Sequence, residues 1–441
     1  MMPQGDSEGR EPKGARAALF RGGLSLGSIG FVEAFIGLVT AVLLARELGL
    51  AGLGTYSIIY AVVALGTLVG EFGMPVLVMR EIASARARGA VGEIIGVTRF
   101  GLLVMAAVCL FGGASAALVV TAFAIEIPAG VARGLQFGWI LIPLTALNNY
   151  ISGMLLGFHL HGLGRLPEGV VRPATFLMLI LAAGSYMPGS LTPAGAIQLQ
   201  IAAAIASLMV SAVLLRFRPR NERDAPPIYK GRYWLKSGIS LALIDGLRVI
   251  QPQLLILLTS ALSTVEAVGL LRLAQRAAGL AGLGSSVVNL TIGPHVASLH
   301  ALADSERLQR LATMSARIMT ALVLAGIVVF AVIGVWLIDI LLGAEFRPAF
   351  APILIMLGAL AVAASFGPTA MLLSMAGAEN DVALGYICAI CLGVAISLLL
   401  TPSFGAVGAA SAAFAATCAE SVYQYYRVRA RLRIRSSAIG Y

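Results

Sequence analysis

Three charged side chains fall deep inside long apolar stretches, and they carry most of the chemistry this sequence offers. At a helical rise of about 1.5 Å per residue, Glu33 stands roughly 18 Å along its stretch from Arg21, and Arg248 roughly 18 Å from Lys236. Arg276 stands roughly 16 Å from Val265. All three approach one depth, near the middle of a bilayer, where an unpaired charge costs at least roughly 2.5–3.5 kcal/mol. Asp245 precedes Arg248 by three residues, which puts both on one helix face and permits an ion pair. Arg272 and Arg276 share a face at i, i+4. Two arrangements satisfy such charges. One is a cationic cavity for an anionic substrate. The other is ion pairing inside a helix bundle, with Arg272 extended to the outer surface.

Other polar residues sit at similar depth. Pro143, Pro252 and Pro368 interrupt apolar stretches, and each frees a carbonyl four residues earlier and allows a bend. Pro252 frees that of Arg248, beside Gln251 and Gln253; bent helices with polar residues at membrane depth normally line a cavity, although a packing kink has the same signature. Asn148 and Asn149 suit either a sugar or a neighbouring helix. Glu420, near Gln424, can neutralise an arginine or titrate. His159 and His161 lack a third metal ligand, and Cys388 and Cys391 lack a second thiol pair, so apolar packing is expected for the cysteines. No Walker A or Rossmann glycine loop has its required partners, and no loop is long enough for a soluble catalytic domain. The substrate is expected to be moved rather than altered.

The elements that position these residues are membrane helices. The chain is 59% hydrophobic and 12% charged, with a mean hydropathy of +0.92; soluble domains carry roughly 25% charge. About twelve spans are expected, near 22–45, 53–78, 99–124, 135–157, 171–188, 194–215, 235–262, 265–292, 316–342, 348–374, 381–400 and 405–426. The net charge of +10 does not indicate nucleic acid, because the basic residues follow the membrane. They gather in the N-terminal tail, the loop with Arg80, Arg86 and Arg88, the central loop and the C-terminal tail. The opposite loops offer Arg46, Arg133 and Arg347. This asymmetry places both termini in the cytoplasm. The basic clusters also suit anionic membrane lipid.

The chain repeats itself in the same direction at half its length. Residues 41–83 have a looser copy at 257–297, with Gly54 opposite Gly269 and Pro75 opposite Pro294. GMLLGFHLHG at 153–162 is matched by AMLLSMAGAE at 370–379. The polar break RFRPRNERDAPPIYKGRYW divides the halves. The expected organisation is a tail at 1–20, a six-helix lobe at 21–215, a cytoplasmic linker at 216–234, a second six-helix lobe at 235–426 and a basic tail at 427–441.

LLARELGLAGLGTYSIIYAVVALGTLVGEFGMPVLVMREIA resembles the opening of bacterial polysaccharide transporters, the lipid-linked oligosaccharide (O-antigen, Wzx-type) flippases of the MATE-like MOP superfamily. EAVGLLRLAQRAAGLAGLGSSVVNLTIGPHVASLHA resembles their eighth span, and LLGAEFRPAFAPILIMLGAL with TPSFGAVGAASAAFAA their closing helices. The resemblance implies an all-α polytopic membrane protein with two six-helix lobes around a cavity that opens alternately to either side. The implied substrate is an oligosaccharide on undecaprenyl pyrophosphate, carried across the bacterial inner membrane. It matches Arg46 to the family's Arg before the Leu-Gly turn, Glu71 to its acidic residue and Arg276 to the basic position of span eight. His295 and the Leu270–Leu271 pair depart from it. The candidate substrate contacts are then Arg248, Arg276, Arg272, Arg46, Asn148, Asn149 and Gln251. Glu33, Asp245 and Glu420 are candidates for ion coupling or charge pairing. No cofactor or metal is expected; H+ and Na+ are the candidate coupling ions. Polysaccharide polymerase and glycosyltransferases are candidate partners. A cation-coupled multidrug exporter of the same fold is the alternative, and a membrane enzyme acting on lipid-linked sugar is the third.

Overall fold

The structure is a computed structural model that describes residues 13–122, 128–186, 189, 191–217, 225–302 and 304–440. Among them there are helices and turns but no strands. This is what lipid requires: with no water to bond to, a spanning segment must satisfy its own backbone, and a helix does so within one segment.

Among the described residues, twelve helices follow one another. Helix α1 covers 13–48 and α2 covers 50–71, the two joined without a loop at Gly49 (φ 66°, ψ 179°), a backbone conformation that suits glycine. A left-handed turn at Phe72 and Gly73 then continues α2 as Met74–Ala87. Next come α3 (Val91–Ala122) and α4 (Ala129–Gly157). Helix α5 runs as His161–Leu166, a π turn at Pro167–Val171, and Arg172–Tyr186, and α6 is Pro193–Leu214. In the second half, α7 is Gly231–Leu262, and α8 is Val265–Ala281 continued by Leu283–Ala301. Then follow α9 (Ser305–Leu341) and α10, which is Phe350–Phe366 continued by Thr369–Met375. Last are α11 (379–404) and α12 (406–432), joined at Gly405. By length and apolarity alone eight helical stretches qualify as spans, or nine with the bent α7. Two of the eight, Val32–Ala87 and Glu379–Leu432, each hold two helices, and α8, divided at Gly282, makes the twelfth.

The halves follow one plan in parallel. Helices of the first half begin at 13, 50, 91, 129, 161 and 193; their counterparts begin at 231, 265, 305, 350, 379 and 406. The turn after α4 carries a positive φ at His159 (63°), and the turn after α10 carries one at Gly377 (70°). An even number of spans leaves Lys13 and Leu432 on one side, here called the terminal face.

The prolines do not act alike. Pro143 leaves α4 as one helix. Helix α7 bends by 44° between Leu243 and Gly246, two turns before Pro252. The sequence expectation put that bend at the proline. The structure puts it beside Gly246, where a Cβ would stand 3.4 Å from Leu68 of α2. Pro368, behind Gly367, does break its helix.

The two halves meet closely at the face opposite the termini. Gly54 and Gly269, each one turn into its helix, pack against each other's strands of backbone. A Cβ on Gly54 would lie 1.9 Å from the Val265 carbonyl oxygen, and one on Gly269 would lie 2.7 Å from that of Leu50. No side chain fits there. A core of small and branched residues, among them Ile59, Ala61, Val268, Leu271 and Ala409, extends from this contact.

Candidate functional site

On the terminal-face side of the Gly54–Gly269 contact, a cavity of about 440 Å³ lies between α1, the start of α5, and α8. Its lining is mixed: Glu33, Arg165, Gln275, Arg276 and Ser286 are polar, and Leu38, Leu280, Leu283 and Val287 are aliphatic. Gly30, Gly37 and Gly279 border open space, since a Cβ on any of them would meet nothing within 4 Å.

The polar side chains come from three helices. Glu33 reaches the cavity from α1 and stands 3.9 Å from an Nη of Arg165, a loose ion pair. Arg276 projects from α8, exposed to the cavity and without a salt-bridge partner among the described residues. Two guanidinium groups thus face one carboxylate. Gln275 beside it donates its amide to the Pro252 carbonyl (3.1 Å), which ties α8 to α7 past the bend. Arg272, one turn earlier, turns inward rather than out to the surface. Its guanidinium lies 5.1 Å from the Tyr60 ring centroid, a cation–π contact, and donates to Gln275 Oε1 at 3.4 Å. Behind it Tyr60 stacks on Tyr56, whose hydroxyl accepts from Gln200 of α6 (3.2 Å). Nearby on α5, buried Arg172 pairs with Glu168 at 3.0 Å, four residues apart across the π turn.

Several sequence candidates stand elsewhere. Arg248 is exposed one turn before Pro252 and has no salt bridge among the described residues, but it is not part of the cavity wall. The Asp245 side chain, and with it the expected pair with Arg248, lies outside the described residues. Arg46 is not in the cavity. It sits at the end of α1 on the opposite face and donates to the Ile340 and Leu341 carbonyls at the end of α9, where a cation suits the helix dipole. Asn148 is fully buried between α4 and α6, accepting from Ser211 Oγ at 2.8 Å and facing the Ala204 carbonyl; its role is packing. Asn149 donates to Glu71 at 2.6 Å, within the first half. Gln251 faces a narrow crevice against Ala389 and Ile390 of α11. Glu420 accepts from Gln424, which in turn accepts from Thr369 Oγ1, inside the second half.

Arg165 and Glu168 were missed because the fifth span was expected to begin at 171, which also put Arg172 at the very end of that span. The polar His161–Val171 segment reads as a loop, yet Glu168 and Arg172 at i, i+4 with Pro167 in front mark a helical turn. Tyr56 and Tyr60 carry the same spacing and could have been found by it.

Residues 19–293 match the protein family described as polysaccharide biosynthesis protein. The chain belongs to that family. Solved structures of low identity share the chain's fold. An inward-facing multidrug resistance MATE family transporter of the MOP superfamily superposes with a TM-score of 0.72 at 13% identity, covering 91% of this chain and 95% of that one. The lipid II flippase MurJ, in an inward closed conformation, gives 0.69 at 13% identity, covering 92% and 87%. Stage V sporulation protein B of Bacillus subtilis (strain 168) is 35% identical over 75 residues, which is 17% of this chain and 14% of that protein. The family's polysaccharide label and the MATE-like fold agree with the resemblance carried by the α1–α2 sequence.

Proposed function

We propose that the protein is a flippase that carries an undecaprenyl-pyrophosphate-linked oligosaccharide across the bacterial inner membrane by alternating access, for the assembly of a surface polysaccharide. The cavity between α1, α5 and α8 supports this most directly: two guanidinium groups and one carboxylate line it together with aliphatic side chains. A pyrophosphate carries more than one negative charge, and arginine offers it a planar fork of donors. Arg276, without a salt bridge among the described residues, takes the phosphates; Arg165 leaves its loose contact with Glu33 to join it. The aliphatic lining residues accept the first part of the polyprenyl chain, whose remainder stays in lipid. Glu33 is the carboxylate best placed for coupling to H+ or Na+, since the arriving anion removes its partner. Glu420 is a second candidate within the other half. Both termini face the cytoplasm in this scheme, and polymerase and glycosyltransferases act before and after the transport step.

A cation-coupled multidrug exporter is the second reading, favoured by the MATE superposition. A cationic drug would meet Arg165 and Arg276 with like charge, so the cavity's sign weighs against it. Binding of purified protein to an undecaprenyl-pyrophosphate oligosaccharide, compared with a cationic dye, tests the two. Saturable binding of the lipid that falls at least about tenfold in Arg276→Ala is expected. Binding of the dye alone would overturn the proposal.

A further inference from the structure

The chain does not end where α12 ends. Arg433 adopts a left-handed conformation (φ 57°) and turns the last residues back into the second half. Ile434 (1% exposed) and Ser436 (0%) are as buried as any core residue. The segment lies between α9 and α10. On the α9 side, Gln309 accepts from the Arg435 amide (3.4 Å) and Thr313 Oγ1 donates to the Arg435 carbonyl (3.2 Å). Arg317 Nε donates to the Ala438 carbonyl (3.0 Å).

On the α10 side its contacts fall on the break. Phe350–Phe366 stops because Pro368 brings no N–H and Gly367 takes φ 79°, ψ −163°. A helix that stops leaves its last carbonyls without partners, and in a membrane protein no bulk water replaces them. The Ala438 amide donates to the Ser365 carbonyl (2.8 Å), and Ser436 Oγ donates to that of Phe366 (2.9 Å). The fit is close: a Cβ on Gly367 would stand 2.6 Å from the Ser436 carbonyl oxygen. Tyr425 of α12 packs on Phe366 from beside it, with centroids 5.3 Å apart.

The first half offers a counterpart. After α6 the chain also runs back across the start of the third helix: the Ile228 amide donates to the Gly92 carbonyl (2.8 Å), and Lys230 pairs with Glu93 at 2.6 Å. There the segment continues into α7, and α4 needs no cap because it is unbroken.

We propose that residues 433–440 form a strap that caps the broken α10 in trans and fastens α9, α10 and α12 into one unit. The strap sets the direction of the short Thr369–Met375 piece and so the position of Thr369, whose hydroxyl begins the Thr369–Gln424–Glu420 chain of bonds. The two helical pieces of α10 then move together, and the conformational change of the protein is confined to the contacts between halves.

Hydrogen exchange of the full-length protein in detergent or nanodiscs tests the strap without any substrate. Two variants remove it by different routes: Ile434→Asp buries a charge under it, and a stop after Arg433 deletes it. Both are expected to speed exchange of the backbone amides at 364–374 by about tenfold or more, with α1 to α6 unchanged. A synthetic peptide of the sequence 433–441, added to the shortened protein, is expected to restore protection at the same amides. Unchanged exchange at 364–374 in the shortened protein would overturn the strap, and so would a peptide that leaves its exchange fast. Faster exchange throughout the second half, α7 and α8 included, would also overturn it, as the mark of general destabilisation.

Discussion

At the scale of single residues, the charge of the cavity wall decides what the protein can hold. Arg276→Ala should abolish export of surface polysaccharide while the protein stays in the membrane at its normal level, because the side chain has no salt-bridge partner among the described residues to strand. Arg276→Lys should be partly tolerated, since a point charge attracts phosphate but lacks the bidentate fork. Immunoblots alongside polysaccharide staining check both; a loss of polysaccharide that only follows a loss of protein would show a structural role. Asn148→Ala makes the contrast. It leaves Ser211 without its acceptor in a buried site, a cost of about 1–3 kcal/mol, so protein level should fall together with export. The glycines give a third test. Gly37→Leu and Gly279→Leu place side chains in open space, so they should block transport without lowering abundance. Arg276 and Glu33 were legible in the sequence because a charge in an apolar stretch must face something polar. The placing of Arg46, Asn148 and Gln251 was not, since nothing in spacing says whether a polar side chain meets a cavity or a neighbouring helix.

At the scale of elements, breaks in helices do the positioning. Gly49 and Gly405 let two helices join without a loop, Gly246 rather than Pro252 accompanies the bend in α7, and a π turn carries α5 through Glu168 to Arg172. The paired-glycine repeat was plain in the sequence. What it does was not: Gly54 and Gly269 are equivalent positions that also touch, and they let α2 and α8 close the face opposite the termini. Gly54→Val should therefore hold that face open, because its side chain overlaps the Val265 carbonyl. Cysteines at Leu50 and Val265 should cross-link in the otherwise unaltered protein and fail to do so in Gly54→Val. Equal cross-linking in both would contradict the closure. The start of α5 escaped the sequence because a π turn and three charged residues interrupt its apolar pattern.

At the scale of the whole molecule, twelve helices in two parallel halves follow from composition, span length and the repeat at half the chain. The expected units at 21–215 and 235–426 should superpose helix for helix, with Gly54 on Gly269. In the orientation proposed above, with both termini and the central loop cytoplasmic, a cysteine at 223 should resist a membrane-impermeant reagent in intact cells, whereas one at Ser263 should react. Labelling of position 223 from outside would reverse the orientation. The C-terminal strap was invisible in the sequence, where residues 427–441 read as a basic tail; only the unmet carbonyls of α10 explain why it folds inward. The central claim is that the protein moves an anionic lipid-linked sugar. Proteoliposomes containing the purified protein and an undecaprenyl-pyrophosphate oligosaccharide, probed with a lectin that cannot cross the bilayer, test it most directly. Lectin-accessible sugar should rise over time from the outer leaflet's share toward the total, and Arg276→Ala should hold it at the starting share. An equal rise in protein-free or Arg276→Ala vesicles, or no rise with the unaltered protein in the presence of either H+ or Na+ gradients, would contradict it.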